Sequence, residues 1–275
     1  MSDALSYDLA YSSACFPPES REQEMLRAPE LGVNRCEIAL RLEDLNGTGR
    51  WPALLDRTGL VCWSVHTPFG ASVDLSALER RTEAVGVVLE SVDLAASLGA
   101  GMVVVHGGAE PIPADLRCQR LRAARESLRS VAERCEILGL RMALEYLPRT
   151  CPGNSVAELE YLLSGISPDV AGICLDLNHA NLRQDLTSRI LALSGRIITV
   201  HVSDNDGLDE RHWLPGQGVI EWEAALRALV QAGYRGPFMY EASRDRSGGA
   251  VSSEVLFRNY ERRIRPLLDQ GVTGA

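Results

Sequence analysis

The chain has 275 residues, 45% of them hydrophobic, and a formal net charge of −9. That length buries a full core and suits a barrel running as one domain, while the acidic balance disfavours a nucleic-acid-binding surface. Every basic residue outside the histidines is arginine, so lysine Schiff-base and lysine general-base mechanisms, class I aldolase chemistry among them, are excluded.

In chain order, short apolar runs fall near 7–14, 33–40, 60–66, 101–106, 141–147, 171–176, 197–203 and 237–242, with longer amphipathic stretches between them. After the third run, Ser76 followed by Glu79 is a capping-box signature. Leu78, Val85, Leu89, Val92 and Ala96 continue at helical spacing, which predicts a helix from Ser76. A second helix is predicted over 113–138, and a third from about Glu221 to Gly233, a C-cap glycine. The tail 250–268 predicts a last helix before a frayed DQGVTGA end. About eight strand–helix units close a TIM barrel. The first run leads into SSACFPPES, which lacks the glycine-rich phosphate loop of an open doubly wound sheet. The predicted fold is therefore α/β, a single (β/α)8 TIM barrel over residues 1–275, with its active site at the C-terminal mouth of the strands.

Seven dispersed cysteines show neither metal-finger nor CxxC spacing. Their odd number and the lack of a leader-like segment fit a reduced cytoplasm, the expected location. No apolar run approaches the roughly 20 residues needed to cross a bilayer, so no membrane partner is expected.

All five histidines sit at or just past the ends of apolar runs: His66 in VCWSVHTPF, His106 in MVVVHGG, His179 in ICLDLNHAN, His201 in IITVHVSD and His212 in DERHWLPGQG. Glu145 in RMALEYL, Asp176 in ICLDLNH and Glu241 in PFMYEAS share that position. Each has a plain reading beside a chemical one. Glu145 is either half of a strand-end ion pair or a metal ligand, since buried glutamate needs a partner or an ion. Asp176 is either an Asx cap on the next helix or, with His179 three residues on, one side of a pocket. His201 is either a satisfied core histidine or a ligand beside Asp176 and Glu145. Glu37, in VNRCEIAL, ends the second run and either binds a substrate hydroxyl or makes a salt bridge. Trp213 offers a face for a sugar, while Trp222 reads as core. Carboxylates with an imidazole suit one divalent ion such as Mn²⁺, Mg²⁺, Co²⁺ or Zn²⁺, which would polarise a carbonyl or hold an enediolate.

SVHTPF, VVVHGG, ALEYLP, CLDLNHANL, HVSDNDG, DERHWLPGQGVIEW and MYEAS together resemble the sugar phosphate isomerases/epimerases of the xylose isomerase-like barrel superfamily, over nearly the whole chain. The resemblance implies a metal-dependent isomerase or epimerase of a small ketose, polyol-derived or keto-sugar substrate. It implies one metal held by residues matching Glu145, Asp176, His201 and Glu241. The two glutamates would move the proton, and His179 would contact substrate hydroxyls. His66, His106, His212 and Glu37 are expected to join it in binding substrate. The family's ketose 3-epimerases carry an arginine six residues past the strand-seven histidine; Gly207 stands there. Dehydratases of the superfamily remain open. So do the related type IV apurinic endonucleases, whose three zinc ions are held at positions matching His66, His106, Glu145, Asp176, His179, His201, Glu210, His212 and Glu241. Those enzymes place asparagine where Tyr146 stands, and an HPG turn where His106-Gly107-Gly108 stands. The expected partner is a small sugar-like molecule and not nucleic acid, and an oligomer is possible.

Overall fold

The computed structural model describes residues 7–46, 49–182 and 185–269. Eight strands form a closed parallel barrel in sequence order: β1 (Leu9–Ser12), β2 (Arg35–Ala39), β3 (Val61–His66), β4 (Met102–Val105), β5 (Arg141–Glu145), β6 (Ala171–Asp176), β7 (Ile197–Val202) and β8 (Phe238–Tyr240). Helices alternate with these strands along the chain. Strands covered on both faces read as continuous apolar runs instead of alternating ones. Accordingly β4 is MVVV with every residue buried, and β6 is buried throughout.

The chain divides into two compact units. One comprises the chain up to Cys36, Asp56–Leu60 and everything from Leu175 on; the other comprises Glu37–Leu55 and Val61–Cys174. In the first, β1 pairs with β8 with Leu9 opposite Phe238 and Tyr11 opposite Tyr240. Strands β7 and β8 pair with His201 opposite Met239. Tyr11 lies wholly buried and donates its hydroxyl to the carbonyl of Ser253 at 2.8 Å, tying the strand to the helix at Ser253–Asn259. In the second unit, β3, β4, β5 and β6 pair in sequence, with His66 opposite Val104 and Glu145 opposite Cys174.

The helix predicted over 113–138 runs from Arg117 to Leu138 after a short 3-10 turn, and ends on Gly139 at φ 69°. The third predicted helix spans Trp222–Gln231. The tail is helical from Ser253, capped by the Ser252 hydroxyl. The end expected to fray lies, from 270 on, outside the described residues. The helix expected from Ser76 starts instead at Arg81. Ser76 is engaged elsewhere: its amide and hydroxyl both donate to Asp74 Oδ1, at 2.9 and 2.7 Å, and its hydroxyl accepts from Arg120 Nε at 2.9 Å. The capping-box serine is thus consumed by a buried ion-pair network. None of the seven cysteines forms a disulfide. No helix among the described residues is long and apolar enough to cross a membrane.

Candidate metal centre

In a parallel barrel the C-terminal strand ends share one face. His66, Glu145 and Asp176 are the last residues of β3, β5 and β6; His201 is the next-to-last of β7; His106 and Glu241 follow β4 and β8 directly. Glu37 differs from expectation. It is the middle residue of β2, not its end, and is fully buried, accepting the Ser64 hydroxyl at 2.8 Å. Burial, reinforced by that carboxylate, pushes the neighbouring Cys62 thiol up to about 12.

Within the unit containing β3 to β5, three groups converge. His66 Nδ1 lies 2.8 Å from the carbonyl oxygen of Thr67. A carbonyl only accepts, so Nδ1 carries a proton and Nε2 is the nitrogen turned toward the carboxylate of Glu145. That Nε2 lies 3.0 Å from Glu145 Oε2, and His106 Nε2 lies 3.0 Å from the same oxygen. The side chains of His66 and Glu145 are 3% and 2% exposed, so their contact is closed to bulk solvent. A cation fits where acceptors converge in this way, and an imidazole whose other nitrogen donates to a carbonyl is the usual form of a metal ligand. Donor atoms of the three side chains lie within 4.8 Å of one another.

The other unit brings together Asp176, His179, His201, Glu210, His212 and Glu241. Both readings of Asp176 hold at once. Its Oδ1 accepts the His179 amide at 2.8 Å and caps the short helix Leu177–Asn181. Its Oδ2 lies 3.5 Å from His179 Nδ1 and 3.9 Å from His201 Nδ1. His201 Nδ1 is also 3.2 Å from Glu241 Oε2. A further group joins His179, Glu210 and His212: His179 Nε2 lies 2.9 Å from Glu210 Oε2, and donor atoms of all three lie within 4.8 Å. His212 Nδ1 faces the carbonyl of Glu241 at 3.1 Å and donates to it, since a carbonyl only accepts.

Sequence reasoning missed what holds this second group in place. The loop after β7 is organised by Asp204, which is fully buried. Its carboxylate accepts from the amides of Asn205, Gly216 and Ile220, at 2.9, 2.8 and 3.1 Å, and from the Trp222 indole at 2.9 Å. Its backbone pairs with Trp213, next to His212. A Cβ at Gly218 would stand 2.0 Å from the Asn205 carbonyl, so only glycine lets the loop close. The sole sequence signal was the HVSDNDG–LPGQG spacing. Asp204→Ala should leave several buried donors unsatisfied and cost on the order of 3 kcal/mol of stability. Urea denaturation checks this; an unchanged midpoint would show the carboxylate to be dispensable.

The xylose isomerase-like TIM barrel family model matches residues 27–261. The chain belongs to that family. Among curated relatives, the protein y4fM of Sinorhizobium fredii is 29% identical over 207 residues; the match covers 71% of this chain and 63% of that protein, so the chain spans less than two thirds of its length. A probable endonuclease 4 of Mycobacterium leprae is 30% identical over 186 residues, covering 62% of this chain and 69% of that protein. Among solved structures, a D-tagatose 3-epimerase-like protein superposes with a TM-score of 0.80 at 23% identity, covering 96% of this chain and 97% of its own.

Proposed function

We propose that the chain is a divalent-metal-dependent isomerase or epimerase of a small ketose, polyol-derived or keto-sugar substrate, working as one catalytic barrel domain. One ion would be held by Glu145, Asp176, His201 and Glu241. The observation that carries this reading is the convergence of His201 on Glu241 and Asp176, at 3.2 and 3.9 Å, on adjoining strand ends. The β5–β6 register supports adding Glu145, which stands level with Cys174, two residues before Asp176. An ion bound there, Mn²⁺, Mg²⁺, Co²⁺ or Zn²⁺, supplies Lewis acidity to polarise a substrate carbonyl. Of Glu145 and Glu241, one takes the proton from the carbon next to that carbonyl and the other returns a proton. His66, His106, His179 and His212 hold substrate hydroxyls, and Glu37 completes the set from one layer deeper in its strand. The likeness in fold to a D-tagatose 3-epimerase-like protein agrees with a sugar substrate.

A second reading has its own observation. The groups His66/His106/Glu145 and His179/Glu210/His212 could each seat an ion, which a single-metal enzyme does not require. With the M. leprae endonuclease 4 relative, they favour a multinuclear zinc phosphoesterase. Two departures weigh against it. A fully buried Tyr146 follows Glu145. A Cβ at Gly107 would meet the Pro152 carbonyl at 2.9 Å, so the proline of an HPG turn does not fit there.

Metal content decides between them. About one ion per purified chain supports the sugar enzyme, and about three zinc ions the phosphoesterase. On the first reading His106→Ala and His212→Ala keep the metal, raise KM and lower turnover. Loss of zinc from these variants, with cleavage of abasic DNA by the unaltered protein, would overturn it.

A further inference from the structure

Asp204 closes the loop after β7 on itself: the amides and the indole that donate to its carboxylate belong to that loop and to the helix that follows it. A second device ties the same loop outward. Asn205, fully buried beside Asp204, turns its side-chain amide to Asn178, 27 residues earlier. Asn205 Nδ2 donates to the Asn178 backbone carbonyl at 2.7 Å and to the Asn178 side-chain oxygen at 2.8 Å. Asn205 Oδ1 accepts from the Gly207 amide at 2.9 Å and from Asn181 Nδ2 at 3.1 Å. Asn178 Nδ2 in turn donates to Ser203 Oγ at 3.0 Å and weakly to the Asp204 carbonyl at 3.4 Å. Asn178 and Ser203 are fully buried as well.

The orientation of both amides is fixed. A backbone N–H only donates and a backbone carbonyl only accepts. Gly207 therefore keeps Asn205 Oδ1 on its side, and the Asn178 carbonyl keeps Asn205 Nδ2 on the other. Turning either amide over would set like groups against each other. The two ends of this network carry working groups of the mouth. Asn178 directly precedes His179 in the helix Leu177–Asn181. Asn205 stands at the start of the loop that bears Glu210 and His212, and Ser203 Oγ lies 3.5 Å from His212 Nδ1. Between the two segments, His179 Nε2 meets Glu210 Oε2 at 2.9 Å.

We propose that Asn178 and Asn205 are positioning residues: their mutual hydrogen bonds hold the helix carrying His179 in register with the loop carrying Glu210 and His212, and so set the gap across which these three groups grip a ligand oxygen or an ion. This rests on assigning His179 and His212 to the binding groups of the mouth, which the isomerase and phosphoesterase readings share. Closing the loop does not call for such a bridge, because Asp204 already does so. Burying amides has a desolvation cost that apolar packing avoids. What a fully satisfied polar network supplies instead is a single rigid arrangement. Groups that bind through lone pairs and N–H bonds need that arrangement held to about 0.5 Å.

The test uses the full chain loaded with Zn²⁺, its histidine ring nitrogens labelled and read by NMR. Asn205→Asp keeps the volume and the oxygen that faces Gly207 and Asn181, but turns a second oxygen toward the two oxygens of Asn178. In the folded variant we expect the ring-nitrogen signals of His179 and His212 to be displaced or split and those of His66 and His106 to stay in place. Asn178→Ala removes one acceptor from Asn205 and the donor to Ser203. It should have the same effect in weaker form, and it carries the test if the aspartate variant does not fold. Tyr11→Phe is the control for lost stability alone. It deletes one buried long-range hydrogen bond, to the Ser253 carbonyl, and should lower the melting temperature with all five histidines unmoved. Unmoved His179 and His212 signals in a folded variant overturn the proposal. So does a displacement of the same size in Tyr11→Phe, or unfolding of both asparagine variants, either of which makes the network purely structural. The readout is ring geometry, not turnover, so displaced signals in a protein inert toward sugars disprove the isomerase reading and leave the positioning role standing.

Discussion

Asp176→Asn and His201→Ala are expected to leave a folded barrel that retains no metal and shows no measurable turnover. The asparagine matters. Asp176 caps the Leu177–Asn181 helix through Oδ1, so alanine would add a capping loss of about 1 kcal/mol to whatever follows from losing the ligand. Asparagine keeps an oxygen acceptor for the His179 amide and removes only the charge that Oδ2 turns toward His201 and His179. His201 is wholly buried, so its truncation leaves a small cavity as well. That cost is on the order of 1–3 kcal/mol, within what a domain of this size tolerates. Elemental analysis of the purified variants reads the metal, and circular dichroism reads the fold. Normal metal content in either variant would remove Asp176 and His201 from the ligand set, and with them the proposed centre.

The barrel was legible because parallel strands covered on both faces leave continuous apolar runs, and because most of the runs stop at or beside a polar residue where the chain meets the mouth. The run MVVV, Met102–Val105, immediately before His106, carries both signals at once. Where one motif serves two purposes, the sequence misleads. Ser76-x-x-Glu79 has the form of a helix cap, but Asp74 and Arg120, the latter 44 positions away, claim the serine. Asp176 posed a choice between cap and pocket that its two oxygens decline to make. Glu37 was read one layer too high, since the strand boundary after it, at Ala39, has no polar marker. The Asp204 network was invisible for a different reason. Its partners are backbone amides and an indole up to 18 residues away, and no side-chain pattern records a backbone donor. The ring orientations of His66 and His212 were likewise beyond sequence, because each turns Nδ1 to a backbone carbonyl oxygen.

Glu145→Gln and Glu241→Gln should each lower turnover by about a hundredfold to ten-thousandfold, the range a positioned acid or base contributes. Glutamine keeps the volume and one acceptor oxygen but cannot take up or return a proton. The two sites differ in a way that sharpens the comparison. Glu145 is 2% exposed and meets two imidazoles through one oxygen, so the amide also disturbs His66 and His106, and some metal should be lost with the rate. Glu241 is 14% exposed and meets His201, so its glutamine variant should retain more of the metal and report more nearly on proton transfer alone. The chemistry itself is read in deuterated water: proton exchange through either glutamate places solvent deuterium on the carbon next to the product carbonyl. A product formed at full rate without that label would mean that hydrogen moves directly between carbons, and neither carboxylate would then have the role assigned to it. Unlabelled product together with metal-dependent hydrolysis of a phosphate ester would instead place the same ligating groups in the service of the phosphoesterase reading.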